Sequence, residues 1–225
     1  MNKVLNIILC HIALYGCAHT FPDNNAQIEI TTETNAQTFV YECPDGYSFV
    51  ARTEAGKAWL FLPRRTIDLP HVPSASGAKY SNGSDTFWSK ANEALIETGD
   101  GKHDGCRNNR ARAIWEHAKL NGVDFRALGN EPGWYMEISN KQDILLVTDY
   151  GQRTYRFPSS TIKSDPNDRT SIYSASNNGS VIEVVIKGDP CRDSMSGEAF
   201  SATVSVVVND RRYTGLSLIH ISEPT

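Results

Sequence analysis

The sequence predicts a mostly β protein in which a small antiparallel β-barrel is joined by a short helix to a second β-rich domain. Ten prolines, sixteen glycines and abundant Thr and Ser favour short strands over long helices. Runs of β-branched and aromatic residues lie on both sides of one stretch of good helix formers, residues 109–120. A length of 225 residues allows two domains, each with its own core.

The N-terminus predicts an export signal over residues 1–16. Its apolar stretch, residues 4–14, is too short to span a bilayer comfortably. The stretch ends in a Leu-Tyr-Gly-Cys sequence that resembles a bacterial lipoprotein processing box, and the alternative is a plain secretory signal with an incidental cysteine. Acyl chains on Cys17 would anchor the protein stably. By analogy with lipoprotein sorting, Ala18 indicates an outer-membrane lipoprotein facing the periplasm.

The segment after the signal indicates the compartment of the two domains, and the net charge limits which partners they bind. Residues 17–36 are polar and predict a solvated tether with a reach of roughly 25 Å. The domains therefore lie in an aqueous, oxidising compartment of the cell envelope. A net charge of −4 argues against a nucleic-acid partner, which needs clustered Lys and Arg.

Residues 37–108 predict the first domain, a small antiparallel barrel or sandwich. Short β-compatible runs are separated by turn signals. Cys43 and Cys106 bracket this block, and we expect them to form a disulfide. Closing a loop of about 60 residues contributes roughly 4 kcal/mol, which a domain of this size needs. The predicted strands include residues 38–41, 47–52, 59–62 and 93–97.

Residues 109–122 predict the connecting helix. Good helix formers continue to residue 120, and Asn121-Gly122 supplies the stop. Ile114 and Ala118 are four residues apart, so we expect them to form one apolar edge. Trp115 lies beside that edge.

Residues 123–215 predict the second β-rich domain. Its clearest strands are residues 181–186 and 202–208, which are rich in β-branched residues. Two segments, residues 125–134 and 191–197, resemble an uncharacterised envelope domain. That resemblance supplies no reaction.

Within this second domain, Trp134 and Glu131 are the residues that stand out. We expect Trp134 to pack in the core and Glu131 to take part in a turn, with ligand contact as the alternative for Glu131. In the similar domain a second cysteine normally follows a Tyr-x-Gly like residues 213–215, where this sequence has Leu216. Cys191 is therefore left without a partner.

The last ten residues, 216–225, resemble translated sequencing-adapter read-through. We therefore predict that they are an artefact and assign them no function, including His220. The natural chain would then continue differently after Gly215, and the missing residues could hold the partner of Cys191.

Asn82-Gly83 is a strong hairpin signal. A three-residue loop pairs Ser76 with Lys90, and a two-residue loop pairs Ser76 with Ser89. In either register Ser76 and Lys90 meet near the open end of one hairpin. Which face each side chain occupies depends on the register.

Ser76 would supply a hydroxyl and Lys90 an ammonium at this end of the hairpin, and the two groups could enter an acidic cleft of another protein. Lysozymes cleave glycan with two carboxyl groups, one protonated and one ionised. A Lys ammonium gains on the order of 4 kcal/mol at contact with a carboxylate when the effective dielectric is near 20. A neighbouring Ser can exchange a hydrogen bond with the other carboxyl.

Five short motifs together resemble the periplasmic and membrane-bound inhibitors of c-type lysozyme (MliC/PliC). The resemblance covers roughly residues 38–106. The motifs are Tyr-Glu-Cys43, Ser76-Gly77-Ala78-Lys79-Tyr80, Phe87-Trp88-Ser89-Lys90, Glu93-Ala94 and Cys106.

The resemblance implies a small antiparallel β-barrel with one disulfide, which fits Cys43 and Cys106. It also implies that Ser76 and Lys90 contact the catalytic carboxyl groups of the lysozyme. Gly77 and Tyr80 belong to the same loop motif and are also predicted to form part of the lysozyme-binding site, with Tyr80 shaping the loop.

Two positions depart from the pattern of the similar family. Lys79 stands where Arg is common, a change that keeps the charge but loses bidentate geometry. Ala91 replaces a usual Gly, so the turn after Lys90 is expected to be stiffer.

The predicted function is therefore a lipid-anchored inhibitor of c-type lysozyme that is not an enzyme and needs no cofactor or metal. One alternative is an enzyme with Ser76 as nucleophile and Lys90 as base, which requires a buried lysine. Another is an envelope binding or scaffold lipoprotein whose main ligand is bound by the second domain.

Plainer structural roles also compete with these functional ones. Ser76 and Gly77 could be turn residues and Lys90 a solvated charge, while Phe87 and Trp88 are expected to serve barrel packing or its rim. Residues 99–105 lack the ligand spacing of a calcium loop and predict a flexible turn.

Overall fold

The computed structural model describes residues 35–193 and 197–218. The predicted signal, Cys17 and most of the predicted tether lie outside the described residues. From residue 35 onward the described chain forms one compact unit. It consists of an eight-stranded closed barrel, one α-helix and a nine-stranded sheet, so the predicted fold class is confirmed.

The first eight strands form the barrel, in which each strand pairs antiparallel with the next and the last pairs with the first. Of the two predicted architectures, barrel or sandwich, the barrel is therefore the one observed. The strands are β1 Gln37–Glu42, β2 Ser48–Glu54, β3 Lys57–Phe61, β4 Thr66–Val72, β5 Ala78–Ser81, β6 Thr86–Lys90, β7 Glu93–Thr98 and β8 Gly101–Asn108.

The barrel core is built from alternate strand residues, because successive side chains of a strand point to opposite faces. The predicted disulfide between Cys43 and Cys106 is confirmed, and it links the end of β1 to β8 where these strands close the barrel. Other core residues are Tyr41, Phe49, Ala51, Ala58, Leu60, Leu69, Tyr80, Phe87, Ala94 and Ile96.

Residues 99–105 form a turn only at positions 99 and 100, whereas the sequence predicted a flexible turn throughout. From Gly101 onward they belong to β8, which pairs with β7 on one side and β1 on the other. Ladder pairing along β7 therefore outweighs the low strand propensity of a segment with Gly101 and Gly105. Among the described residues no group of His, Cys, Asp or Glu side chains is arranged to hold a metal ion.

Helix α1, Arg110–Leu120, confirms the predicted helix. Asn109 caps it, because its side chain accepts a hydrogen bond from the Arg112 amide at 3.1 Å. In the described part of the chain, no helix is long and apolar enough to cross a membrane.

The buried side of α1 differs from the predicted apolar edge. Ala113, Trp115 and Ala118 are buried, whereas Ile114 is 48% exposed, so the prediction was wrong for Ile114. The reason is tertiary: α1 contacts both β1 and the second sheet, and the Trp115 ring lies 6.2 Å from that of Phe200.

The remaining strands form a nine-stranded antiparallel sheet and a short two-stranded ribbon. Their bounds are β9 Val123–Asn130, β10 Gly133–Ser139, β11 Asp143–Thr148, β12 Arg153–Phe157, β13 Thr161–Asp165, β14 Thr170–Asn177, β15 Ser180–Lys187, β16 Cys191–Arg192, β17 Ala199–Phe200, β18 Ala202–Val208 and β19 Arg211–Ser217. The order in the sheet is β12-β11-β10-β9-β19-β18-β15-β14-β13, and β16 pairs with β17 in the ribbon. The two strands predicted most clearly correspond to β15 and β18.

The sheet has a hydrophobic core of its own, separate from that of the barrel. Trp134 is buried in it, as the sequence predicted, and its indole N–H donates to the Thr214 carbonyl at 3.1 Å. Glu131 is exposed in the turn between β9 and β10, next to Pro132. Other core residues are Phe125, Met136, Ile138, Ile144, Leu146, Phe157, Ile182, Val184, Ile186, Val204, Val206, Val208 and Tyr213.

Strand β19 includes the first two residues of the predicted artefact. Leu216 aligns with Leu128 of β9, and the Ser217 hydroxyl donates to the Arg126 carbonyl at 2.6 Å. Residues 219–225 lie outside the described residues, so the prediction of an artefact over residues 216–225 stays a prediction. Within the described chain Cys191 is a free cysteine.

Candidate functional site

The β5–β6 hairpin has a register that differs from both predicted alternatives. Ser81 pairs with Thr86, which leaves the four-residue loop 82–85. The Asn82 side chain accepts hydrogen bonds from the Ser84 and Asp85 amides, at 3.1 and 2.8 Å. A turn closed in this way by the Asn82 side chain extends the loop to Asp85. The predictions of a two-residue and of a three-residue loop were therefore both wrong.

The loop 73–77, between β4 and β5, carries Ser76. All five residues are exposed. Within the loop, the Ser74 hydroxyl lies 3.2 Å from the Ser76 carbonyl oxygen and 3.0 Å from that of Gly77. The indole N–H of Trp88, on β6, donates to the Ser76 carbonyl at 2.8 Å.

Gly77 lies directly against β6. Its φ is +70°, a left-handed conformation that favours glycine. A Cβ atom at this position would be 2.3 Å from the Ser89 carbonyl oxygen and 3.1 Å from the Lys90 Cβ. The lack of a side chain therefore brings the loop into contact with the strand end that carries Lys90.

Lys90 is exposed at the end of β6. It pairs across the strands with Glu93, whose carboxylate lies 3.1 Å from the Arg107 guanidinium. In residues 35–193 and 197–218 Lys90 takes part in no ion pair within 4.0 Å. The structure thus brings Ser76, Gly77 and Lys90 together at one end of the hairpin, with an ammonium available to an acidic partner.

Tyr80 is placed differently from the other predicted site residues. Its side chain lies in the barrel core, stacked 5.8 Å from the Phe87 ring and edge-on to His71 at 5.3 Å. Burial raises the pKa of its phenol. Its ring supports β5 from inside rather than joining the exposed surface of Ser76 and Lys90.

A shallow groove of about 540 Å³ runs beside the loop across the outer faces of β5, β6 and β7. Its lining carries one cationic side chain, Lys79, and one carboxylate, Glu97. Its lining residues include Ser74, Ser76, Lys79, Trp88, Leu95 and Glu97.

Sequence reasoning missed Ser74 and the hydrogen bond from Trp88. Trp88 was assigned to packing or the rim, and the structure places it half-buried at the groove. The available signal was chemical, since a partly buried indole N–H usually finds an acceptor.

The arrangement offers a hydroxyl for hydrogen bonding and a positive charge, both directed to solvent rather than to the protein. Lys90 lacks the burial through which a lysine becomes a general base. The geometry therefore suits binding to an acidic surface better than activation of Ser76.

Comparison with known proteins links this hairpin to one family. Residues 41–104 match the family described as membrane-bound lysozyme-inhibitor of c-type lysozyme (MliC). The barrel is thus an MliC-like domain. This resemblance is the one that the sequence motifs predicted, and the match contains Ser76, Gly77, Tyr80 and Lys90.

A curated relative of the MliC-like domain is the membrane-bound lysozyme inhibitor of C-type lysozyme from Yersinia enterocolitica, which is 34% identical over 87 residues. The alignment covers 38% of this chain and 64% of the relative. Helix α1 and the second sheet lie outside the family match. No solved structure matches this chain.

Proposed function

We propose that this protein inhibits c-type lysozyme by inserting Ser76 and Lys90 into the acidic active-site cleft, and so protects peptidoglycan. The observation that carries the proposal is the exposure of Ser76 and Lys90 at the same end of one hairpin. This hairpin lies inside the segment similar to MliC. The name of the Yersinia relative supports the same activity.

The physical basis is charge complementarity. A lysozyme cleft holds one protonated and one ionised carboxyl group. The Lys90 ammonium pairs with the ionised group, while the Ser76 hydroxyl exchanges a hydrogen bond with the other. Because strand β6 and the loop are already ordered by hydrogen bonds, little conformational entropy is lost on binding.

The test is an inhibition assay with the purified protein and a c-type lysozyme. The wild-type protein in molar excess should lower the rate of cell-wall hydrolysis, and Lys90→Ala should weaken inhibition at least about tenfold. Lys102→Ala, an exposed lysine on β8 of the same barrel, is the matched control. A wild-type protein that leaves lysozyme at full rate would overturn the proposal.

We further propose that Cys17 carries lipid and holds the protein in the outer membrane, with residues 17–36 as tether. The support is the resemblance of the sequence before Cys17 to a lipoprotein processing box. Labelled palmitate should enter the wild-type protein and remain absent from Cys17→Ser. Equal labelling of the two would contradict lipidation at this residue.

A second candidate function belongs to the sheet of residues 123–215. A groove of about 840 Å³ on this sheet is lined in part by Glu131, Lys187 and Thr203. It supports the alternative of an envelope binding protein. In a pull-down with soluble cell-wall fragments, the Lys90→Ala chain should then bind as well as wild type, and Glu131→Gln should bind less.

We also propose that the protein is not an enzyme. The exposure of Lys90 supports this, because a nucleophilic Ser76 would need a desolvated base. Covalent labelling of Ser76 by a serine-reactive probe would favour the enzyme instead.

A further inference from the structure

We propose that Trp88 is a positioning residue for the inhibitory pair, a role that rests on the proposed inhibition of lysozyme. Its indole N–H holds the Ser76 backbone and thereby sets the place of the Ser76 hydroxyl relative to the Lys90 ammonium. Trp88 acts through Ser76 and needs no contact of its own with the partner.

The loop 73–77 is held by side-chain hydrogen bonds of two kinds. The hydrogen bonds from Ser74 end on Ser76 and Gly77, so they order the loop internally without tying it to the barrel. Among the side-chain hydrogen bonds of the described residues, the bond from Trp88 to Ser76 is the one that joins this loop to a strand. At 2.8 Å it has good geometry for an N–H donor.

Lys90 lies on the same strand as Trp88 and close to the loop. Trp88 and Lys90 are two residues apart on β6, so their side chains leave the same face of the strand. A Cβ at Gly77 would lie 3.2 Å from the Trp88 Nε1 and 3.1 Å from the Lys90 Cβ. The loop therefore packs at Gly77 against both the Trp88 indole and the Cβ of Lys90. If the loop moved away from Trp88, the distance between Ser76 and Lys90 would increase.

Trp88 contributes little to the barrel core. It is half-buried on the outer face, whereas the interior is filled by the side chains of the barrel core. Replacement by Phe keeps an aromatic ring in the groove but removes the N–H donor together with part of the indole, a loss of size that Trp59→Phe on β3 shares. Trp88→Phe is therefore expected to change the position of the loop without preventing the barrel from folding.

The first experiment measures inhibition by Trp88→Phe in the full chain. Losing one hydrogen bond and loosening the loop should raise the inhibition constant about tenfold. The matched control is Trp59→Phe, a half-buried tryptophan on β3 of the same barrel, which should inhibit as wild type does. Thermal unfolding of both variants should begin within a few degrees of wild type.

A double-mutant cycle separates positioning from direct contact. If Trp88 acts through Ser76, then Trp88→Phe should change inhibition less than about twofold in a Ser76→Ala background. If Trp88 instead touches the lysozyme itself, the two losses multiply, and that result overturns the proposal.

The positioning role of Trp88 can also be tested in the protein without lysozyme, independently of any inhibition. By NMR relaxation, the backbone order parameters of residues 74–77 should fall in Trp88→Phe and stay unchanged in Trp59→Phe. If wild type does not inhibit lysozyme but the order parameters fall, the proposed function fails and the positioning of the loop stands. If wild type inhibits and Trp88→Phe matches it in both assays, the positioning role is wrong.

Discussion

Gly77 shows how a single missing side chain decides the geometry of the candidate site. Its backbone is left-handed, and its Cα hydrogen faces the Ser89 carbonyl, so the loop lies directly on β6. Gly83, in the tip of the same hairpin, is also left-handed, with φ +99° and open space around it. Substitutions at the two glycines therefore distinguish the cost of a left-handed backbone, which both positions share, from the cost of a steric clash with β6, which only Gly77 has.

We expect Gly77→Ala to weaken inhibition much more than Gly83→Ala. Both substitutions carry the cost of a left-handed alanine, about 1–2 kcal/mol. Only Gly77→Ala must also push the loop off β6, because its Cβ would be 2.3 Å from a backbone oxygen. Inhibition constants and urea unfolding of the two variants check this, and equal inhibition would show that contact with β6 is unimportant.

Ala91 has φ +53° in the turn between β6 and β7, a left-handed conformation that favours glycine. We expect Ala91→Gly to raise the free energy of unfolding by up to about 1 kcal/mol. Relief of the left-handed strain outweighs the larger entropy of glycine in the unfolded chain. Urea denaturation measures this change. A clear destabilisation would mean that the turn holds Ala91 without strain.

Burial raises the pKa of the Tyr41 phenol to about 12, against an opposing effect of the Ser89 hydroxyl. Because the unfolded chain loses this proton near pH 10 and the folded chain keeps it, stability should fall as pH rises from about 10 to 12. The fall due to Tyr41 is on the order of 2 kcal/mol. Urea unfolding at pH 8 and pH 11 measures this loss of stability, and Tyr41→Phe should make it smaller. If the loss in the variant equals that in wild type, it arises from other tyrosines.

At the scale of elements, helix α1 is tied to the barrel by His117. The Asn121 amide nitrogen lies 2.9 Å from Nε2, so Nε2 accepts and Nδ1 donates to the Thr38 hydroxyl at 3.0 Å. Burial and then the positive charge of Arg52 lower the pKa of this imidazole. The neutral ring is thus the form that fits between the helix and β1.

We expect the attachment of α1 to weaken on acidification. The unfolded chain takes up a proton at His117 below pH 6.5 while the folded chain resists it, so stability falls as pH drops through this range. His117→Gln should have a smaller difference in unfolding free energy between pH 8 and pH 5. An unchanged difference would place the acid sensitivity at other groups.

At the scale of the whole molecule, the described residues form two hydrophobic cores that share no residue. The barrel closes on itself and has the disulfide, while the sheet is stabilised by its own apolar face. Helix α1 lies in contact with both. Loss of the disulfide should therefore affect the barrel first.

We expect the double variant Cys43→Ala and Cys106→Ala to lose about 4 kcal/mol of barrel stability, because the covalent loop spans a separation of 63 residues. Hydrogen exchange should accelerate in the amides of β1 to β8 and change little in β9 to β19. Equal acceleration in both parts would show that barrel and sheet unfold as one cooperative unit.

The sequence alone was enough for features that depend on local pattern. The runs that became β15 and β18, the helix with its stop at Asn121-Gly122, and the nearness of Ser76 to Lys90 all follow from residue type and turn chemistry over a few positions. The Cys43–Cys106 pair was expected because the two cysteines bracket the strand-rich block of a domain small enough to need a disulfide.

Only the tertiary structure decided features that depend on distant contacts. The burial of Asp85, which lies 3.5 Å from the Arg65 guanidinium, favours the four-residue hairpin loop over the shorter loops that the local sequence predicted. Ile114 became exposed because the barrel and the sheet cover another side of the helix, and Trp88 met Ser76 because the loop folds back onto β6. These outcomes depend on which surfaces pack together, a choice made by the free energy of the whole chain rather than by neighbouring residues.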